Sequence, residues 1–273
     1  MQRLDHSTSG RLLSHKPGNH PWRISSARMT TASPIVFYDL LPEPGVCPYA
    51  QRAWIALVEL GVPFTTKFVD KANKSEEFLS LYRGIVQDPA GRGTVPTIVD
   101  GEYKLTESAV VVEYLDKKYG KPGKTLLPDD PEEFGKVKLF VDTFTSQLVS
   151  ANFKILRADS RESLAEATAA MDAGAKVLND FIKVNGSSEG GDFFLGSRYS
   201  FAETMTTPFL RRMMAAIPAL KEYNLLESSK AKGLHRFVAW IEASLSRPSN
   251  QKTGCSDQQI VEGFKTFNTP LKD

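Results

Sequence analysis

The hydrophobic period of the sequence changes near residue 121, and this change restricts the folds that the chain can adopt. Before residue 121, short apolar segments with strand character alternate with segments of helical periodicity. After it, no strand alternation persists, and the apolar residues recur with helical spacing. The sequence therefore predicts a small mixed sheet with helices on both faces, followed by a part built from helices alone.

The first part predicts the element order βαβαββα. Strands are expected at residues 35–38, 64–69, 94–99 and 103–105, and helices after residue 47, at 75–82 and from about 107 to 119. Asp100 and Gly101 form a hairpin signal between the last two strands. Thr106 or Ser108 is expected to cap the third helix through its side-chain oxygen. Such an order needs a crossover between the first two strands and a hairpin at the end.

Proline and polar residues at 121–132 predict a linker between two domains. The predicted organisation is an extension at 1–33, an α/β domain at 34–120, the linker, and an all-helical domain at 133–273. Helices are expected at 133–157, 162–184, 200–216 and 228–245. Ser200 and Glu203 have the spacing of a capping box, which predicts a buried helix start. Residues 252–256, around Cys255, are expected to be a polar tail.

The formal net charge of +2 is unevenly distributed. Residues 1–33 carry five basic residues against Asp5, a balance of +4, so the rest of the chain carries −2. A body without a basic surface is not expected to bind nucleic acid. No apolar run approaches the roughly 20 residues that cross a bilayer, so no membrane-spanning segment is expected either.

The segment 1–33 is rich in serine, poor in acidic residues and without periodicity, and Met29 lies near its end. This composition fits an organelle transit peptide, and it fits equally a disordered extension or an upstream start with Met29 as the true first residue. The expected location is cytoplasmic, or mitochondrial or plastid if residues 1–33 act as a transit peptide.

Cys47 is the first candidate nucleophile, because it stands where a short strand passes into a helix. It is expected at the N-cap, with Pro48 at the first helical position and Gly61 at the end of the helix. The free N–H groups of a first turn can lower the pKa of a cysteine from about 8.5 to roughly 3.5–7.5. Ala50 occupies the place of the second thiol of a dithiol motif, so an external thiol would have to release a mixed disulfide. A small buried hydrophobic side chain is the alternative interpretation of Cys47.

Other chemistries find little support in the sequence. The chain has two cysteines, and Cys255 in the polar tail is expected to be an incidental exposed thiol. Of the four histidines only His235 lies in the body of the chain, and it is expected in the middle of a helix. A metal site or a catalytic triad is therefore not expected, and the glycine-rich and lysine motifs of nucleotide sites are absent from the sequence.

From about residue 34 to 245 the sequence resembles the cytosolic glutathione transferase superfamily, in which a thioredoxin-like domain precedes a helical one. The run from Cys47 to Ala56, Cys-Pro-Tyr-Ala-Gln-Arg-Ala-Trp-Ile-Ala, resembles the cysteine-containing lambda and omega classes. The resemblance implies a glutathione-binding domain at 34–120 and a glutathione-dependent thiol transferase or dehydroascorbate reductase. Glutathione would be a co-substrate, without metal or nucleotide, and the partner would be a small electrophilic or disulfide acceptor.

The resemblance also implies roles for single residues. Cys47 would form the mixed disulfide with glutathione. Val95 and Pro96 match the pair in which a cis proline presents the backbone of Val95 to the cysteinyl part of glutathione. Glu107 and Ser108 match the pair that holds the γ-glutamyl end, and Lys74 falls where omega-class members place a lysine near the glycine end. Physical reasoning alone interprets Glu107 as a first-turn acid and Lys74 as a surface lysine.

Several alternatives stay open at this stage. Tyr38 ends the first strand, where other classes keep a catalytic hydroxyl, so a conjugating transferase is the second hypothesis. A non-catalytic ligand-binding protein is the third. The loops at 39–46 and 81–88 are longer than the family usually has and flank the site. The acceptor pocket is expected along residues 134–153, and the chain is expected to be a monomer or a homodimer.

Overall fold

The computed structural model describes residues 34–41, 45–187 and 189–272. The predicted extension at 1–33 lies outside these residues. The division into domains at 34–120, 121–132 and 133–273 stays a prediction.

The first part of the chain forms a four-stranded mixed sheet, which confirms the predicted α/β fold. Its strands are β1 (Ile35–Leu41), β2 (Phe64–Asp70), β3 (Thr97–Asp100) and β4 (Tyr103–Thr106). The strand order is β2-β1-β3-β4, with β1 parallel to β2 and β3 antiparallel to both β1 and β4. Asp100 and Gly101 make the predicted hairpin turn, in which Gly101 adopts a φ of 62°.

Three helices accompany this sheet: α1 (Pro48–Leu60), α2 (Glu76–Val86) and α3 (Ser108–Tyr119). Gly61 ends α1 in the left-handed conformation, as predicted. The Ser75 side chain caps α2 by accepting from the Phe78 amide at 3.3 Å. The predicted end of α2 at residue 82 is too early, because most of the apparent insertion at 81–88 continues the helix to Val86.

The predicted cap of α3 is wrong. Glu107 is the N-cap residue, with a φ of 70° and no side-chain hydrogen bond to the helix. The Thr106 hydroxyl instead donates to the Pro96 carbonyl at 2.9 Å, and the Ser108 hydroxyl accepts from Arg52 at 3.2 Å. Both side chains therefore bond to tertiary partners in place of the helix terminus.

The second part of the described chain is helical, as predicted. It comprises α4 (Pro131–Phe144), a π-helical turn (Thr145–Val149), α5 (Ser150–Arg157), α6 (Arg161–Asn185), α7 (Phe201–Lys221), α8 (Leu225–Ala231), α9 (His235–Ser246), α10 (Pro248–Thr253), α11 (Asp257–Phe264) and a 3₁₀ turn (Lys265–Phe267). The capping box of α7 is confirmed. Fully buried Glu203 accepts from the Ser200 amide at 3.0 Å and from Trp240 Nε1 at 3.0 Å. The start of α7 is thereby fixed inside the core.

Two predictions near the C-terminus are wrong. The expected helix at 228–245 is divided into α8 and α9, because Gly233 between them adopts a φ of 68°. His235 is consequently the first residue of α9 and not a mid-helix residue. The polar tail expected at 252–256 instead contains the end of α10 and the N-cap of α11, where Ser256 forms a capping box with Gln259. Among the described residues, no helix combines the length and apolar character that crossing a membrane requires.

Candidate functional site

Cys47 lies between β1 and α1, at the carboxyl end of the central strand. It is the N-cap residue of α1, with φ −72° and ψ 115°, and Pro48 occupies the first turn as predicted. The thiol is half-buried. Because the first-turn N–H groups of a helix have no helical partners, this is a position where a sulfur can interact with backbone donors.

The expected lowering of the pKa of Cys47 does not occur in the described structure. Burial raises the pKa of this thiol above its ordinary value, and the N–H groups of Ala50 and Tyr49 offset only part of that effect. The charge of Asp39 raises the pKa further, and the charge of Arg212 lowers it. The first-turn dipoles are present as predicted, but removal of the sulfur from water outweighs them.

Cys47 opens into a cavity of about 270 Å³ between α1, α5, α7 and the C-terminal helix. Its walls are mainly apolar and aromatic, with a few polar side chains among them: Leu40, Val46, Cys47, Pro48, Tyr49, Lys71, Asn152, Phe153, Phe209, Arg212, Gly263, Phe264 and Phe267. Apolar walls around one reactive group are typical of a small-molecule site. Phe153 lies on the expected segment 134–153, whereas the contribution of α11 was missed.

A second cavity of about 300 Å³ shares Tyr49 and Phe209 with the first. The two rings meet edge to face, with centroids 5.1 Å apart. Arg52, Ala109 and Lys138 line this second cavity, which makes it more polar than the first. A larger and more open groove of about 670 Å³ between α5 and α6 contains none of the predicted site residues.

Val95 and Pro96 directly precede β3, the strand that pairs with β1. The Val95-Pro96 bond is cis, as the resemblance implied, and both residues are buried. Thr97 pairs with Tyr38 in the antiparallel ladder between β3 and β1. Because this antiparallel register sets the first residue of β3 beside Tyr38 in the middle of β1, the chain before β3, with the cis peptide, extends toward the carboxyl end of β1, which Cys47 follows.

Ser108 is connected to the helix of Cys47 through Arg52. The Arg52 Nη1 donates to Ser108 Oγ at 3.2 Å, and its Nε donates to the Met205 carbonyl at 2.8 Å. Burial lowers the pKa of Arg52 to about 10. The Glu107 side chain is exposed beside Ser108. Arg52 was not among the predicted site residues, although the sequence shows a cation on an otherwise apolar face of this helix.

Lys74 does not line the cavity of Cys47. Its ammonium group donates to the Arg92 carbonyl at 2.8 Å, whereas Lys71 contributes to the cavity wall. Tyr38 is buried, with its ring against Phe78 at a centroid distance of 5.3 Å, and it lines a separate pocket. Within the described residues, neither side chain shares a cavity with the thiol.

Cys255 is not the exposed thiol that the sequence suggested. It is half-buried, and its Sγ donates to the Gly45 carbonyl at 3.6 Å. The Gln51 amide of α1 donates to Asn250 Oδ1 and to Thr253 Oγ1, each at 3.2 Å. These contacts place α10 and the start of α11 directly against the segment that carries Cys47.

Residues 46–118 match the family model described as "Glutathione S-transferase, N-terminal domain". The α/β part of the chain therefore contains a glutathione S-transferase N-terminal domain. The matched range contains every residue that the resemblance assigned to the site, from Cys47 to Ser108. The roles assigned to these residues stay predictions.

Named relatives agree with the glutathione transferase assignment. The chain is 27% identical over 223 residues to "Glutathione S-transferase DHAR3, chloroplastic" of Arabidopsis thaliana, covering 81% of this chain and 74% of that protein. It is 27% identical over 230 residues to "Probable glutathione transferase omega-2" of Caenorhabditis elegans, covering 81% of this chain and 82% of that protein. The crystal structure of glutathione transferase Omega 3C from Trametes versicolor superposes with a TM-score of 0.67 at 26% identity, covering 82% and 90%.

Proposed function

We propose that this glutathione transferase is a thiol transferase in which Cys47 is the nucleophile. The observation that carries the proposal is the position of Cys47, at the start of α1 and at the wall of an apolar cavity. Ala50 stands one turn later, where a dithiol enzyme has its second thiol. The chemistry that suits such a site is exchange with a disulfide, completed by an external thiol.

The reaction has two balanced steps. The Cys47 thiolate attacks the glutathionyl sulfur of a mixed disulfide, the acceptor thiol leaves and takes up a proton, and Cys47 becomes glutathionylated. The thiolate of a second glutathione then attacks this disulfide, releasing oxidised glutathione and the Cys47 thiolate. Glutathione thus supplies the reducing equivalents for a disulfide, a glutathionyl conjugate or dehydroascorbate.

For glutathione we propose the contacts that the resemblance implies. The backbone of Val95, before cis Pro96, would pair with the cysteinyl part, while Glu107 and Ser108 would hold the γ-glutamyl end. Because Arg52 donates to Ser108, the hydroxyl proton of Ser108 is available for a substrate carboxylate. For the glycine end we retain Lys74, with Lys71 as the rival because it lines the cavity.

The cavity walls favour an acceptor that carries an apolar or aromatic group. Phe153, Phe209, Phe264 and Phe267 surround the space beside the thiol. An aromatic group that fills it would remove apolar surface from water, which a small polar acceptor such as dehydroascorbate does not do. We therefore expect a glutathionyl disulfide of an aromatic thiol to be a better substrate than dehydroascorbate.

The rival hypotheses predict different outcomes. Conjugation by the Tyr38 hydroxyl is disfavoured because Tyr38 lies in a separate pocket with Phe78 and Lys67. A non-catalytic carrier would bind glutathione and an apolar ligand without turnover. The test measures glutathione-dependent reduction of a small mixed disulfide and of dehydroascorbate, together with aryl-halide conjugation, for the wild type and Cys47→Ser.

The thiol-transferase proposal expects reduction that disappears in Cys47→Ser. Conjugation that dominates and survives the substitution would refute it in favour of a hydroxyl-dependent enzyme. Binding of glutathione without any of the three activities would refute it in favour of a carrier.

A further inference from the structure

Two buried side chains of opposite charge hold Gly45, which lies two residues before Cys47. The Asp39 carboxylate, on β1, accepts from the Gly45 amide at 2.9 Å and from the Leu40 amide at 2.8 Å. The Arg212 guanidinium, on α7, donates to the Gly45 carbonyl. Asp39 is 0% exposed and Arg212 is 1% exposed. The amide and the carbonyl of one residue are thus bound by two charges from different parts of the fold.

Arg212 also binds Val46, the residue after Gly45. Its Nε and Nη2 donate to the Val46 carbonyl at 3.1 and 3.0 Å. Its Nη1 donates to the Pro208 carbonyl at 2.7 Å and to the Gln51 side-chain oxygen of α1. Arg212 therefore bonds to the backbone before Cys47 and to the helix after it, and its own side chain lines the cavity that contains the thiol.

The partners of Arg212 are unusual for a buried cation. Within the described residues, every hydrogen bond of its guanidinium goes to a neutral acceptor, and Asp39 acts on it only through space. Removing a charge from water without a carboxylate partner is costly, so an arginine is a poor choice if only loop packing is required. A positive charge on Arg212 can stabilise the thiolate of Cys47, which a neutral side chain at this position could not do.

We propose that Asp39 and Arg212 are positioning residues for the Cys47 thiol, acting through the peptide groups of Gly45 and Val46. This inference rests on the proposed function, in which Cys47 is the nucleophile. The Arg212 guanidinium binds the carbonyls of Gly45 and Val46, and the Asp39 carboxylate binds the Gly45 amide. Together these hydrogen bonds fix the backbone before Cys47 and thereby the orientation of its side chain.

The two charges have opposite effects on the sulfur. Asp39 raises the pKa of Cys47 and Arg212 lowers it, each by less than burial does. The titratable and charged groups around the thiol are Asp39 on β1, Tyr49 and Arg52 on α1, Lys71 after β2, Arg212 on α7 and Cys255 before α11. Loss of either member of the pair should therefore shift the pKa of Cys47 in a direction that identifies which charge was removed.

The experiment compares Asp39→Asn, Arg212→Met and Arg212→Lys in a Cys255→Ser parent, so that alkylation reports Cys47 alone. Arg211→Gln is the matched control. Arg211 precedes Arg212 on α7 and forms an ion pair with Asp257. Three quantities are measured: the pH dependence of alkylation by iodoacetamide, kcat with a small mixed disulfide, and the KM for glutathione.

The expected result is a pair of opposite shifts. Arg212→Met should raise the pKa of Cys47 and lower the alkylation rate at pH 7 by about threefold, whereas Asp39→Asn should raise that rate by about threefold, each equivalent to half a pH unit. Arg212→Met should also lower kcat by about tenfold with little change in KM for glutathione, because it displaces the nucleophile and not the glutathione contacts. Arg212→Lys should restore most of the pKa and only part of kcat.

Alkylation profiles and kcat values equal to those of Arg211→Gln in both Asp39→Asn and Arg212→Met would overturn the inference. Asp39→Asn keeps the size and shape of the side chain and one oxygen that can accept from a backbone amide. If Arg212→Met does not fold, an unshifted Asp39→Asn profile therefore overturns it alone. Turnover that survives Cys47→Ser would refute the proposed function instead, and the alkylation data would still test the positioning of the thiol.

Discussion

The Nη1 of Arg52 donates to the Oγ of Ser108 at 3.2 Å, so a side chain from the helix of Cys47 bonds to the first residue of α3. The Nε of the same guanidinium donates to the Met205 carbonyl of α7 at 2.8 Å. Arg52 is only 8% exposed. One buried cation therefore joins the helix of the nucleophile, the proposed γ-glutamyl subsite and the helical part of the chain.

Replacement of Arg52 should weaken both the fold and glutathione binding. In Arg52→Met the Ser108 hydroxyl and the Met205 carbonyl lose their donor, and we expect the free energy of unfolding to fall by about 2 kcal/mol. The KM for glutathione should rise, because the Ser108 hydroxyl then loses the Arg52 donor that orients it. Urea denaturation and steady-state kinetics measure the two effects. Arg83→Met is the control, since Arg83 forms an exposed ion pair with Glu76. Equal effects in both variants would contradict the assigned role of Arg52.

The raised pKa of Cys47 predicts a particular pH dependence of its reactivity. Burial shifts the pKa above the ordinary cysteine value, so the thiolate fraction is small at pH 7 and increases with pH. Without glutathione, the alkylation rate of a Cys255→Ser variant should therefore keep rising beyond pH 8.5. A rate that reaches its plateau below pH 7 would show that the helix N-terminus outweighs burial after all.

Gly45 should tolerate substitution less well than a glycine of similar conformation elsewhere. Gly45 has a φ of 77°, and a Cβ on it would lie 2.5 Å from the Thr253 carbonyl oxygen. Gly101 has a φ of 62° but nothing within 4 Å of such a Cβ. Both alanine variants pay the conformational penalty of roughly 1 kcal/mol, and only Gly45→Ala must also displace α10 or the loop before Cys47.

We expect Gly45→Ala to lower the unfolding free energy more than Gly101→Ala and to lower kcat as well. Thermal denaturation and mixed-disulfide turnover provide the comparison. If the two alanine variants have the same unfolding free energy and the same kcat, the close approach between Gly45 and α10 does not affect stability or turnover.

The aromatic cavity predicts substrate-dependent effects of Phe267. This side chain is 39% exposed and lines the cavity of Cys47. Phe267→Ala should raise the KM for the glutathionyl disulfide of thiophenol about tenfold, the equivalent of about 1.4 kcal/mol of lost apolar contact, and leave that of mercaptoethanol nearly unchanged. Phe134→Ala removes a similarly exposed ring that lies outside this cavity, and serves as the control. A uniform change in both KM values would argue against an aromatic acceptor site.

The arrangement of the sheet could be predicted from the sequence because its signals are local. The strand and helix periods, the Asp100-Gly101 hairpin and the capping box at Ser200 and Glu203 each depend on residues that are near in sequence. The N-cap position of Cys47 follows in the same way from Pro48 and the adjacent apolar face. These features need no knowledge of distant contacts.

The missed features depend on contacts across the fold. The pKa of Cys47 was predicted in the wrong direction, because its helix turn was visible in the sequence but its burial was not. Arg212 and Asp39 are far apart in sequence, and only the folded chain brings both to Gly45. α11 was predictable in part, since Ser256 and Gln259 have capping-box spacing, but its packing against the cavity of Cys47 was not.

The most direct test of Cys47 as the nucleophile is intact-protein and peptide mass spectrometry of the wild type after mixing with a glutathionyl mixed disulfide in the absence of free glutathione. We expect one added glutathionyl group, mapped to Cys47, which disappears when glutathione is supplied and never forms in Cys47→Ser. Steady turnover without any adduct on Cys47, or with the adduct on Cys255 alone, would contradict it.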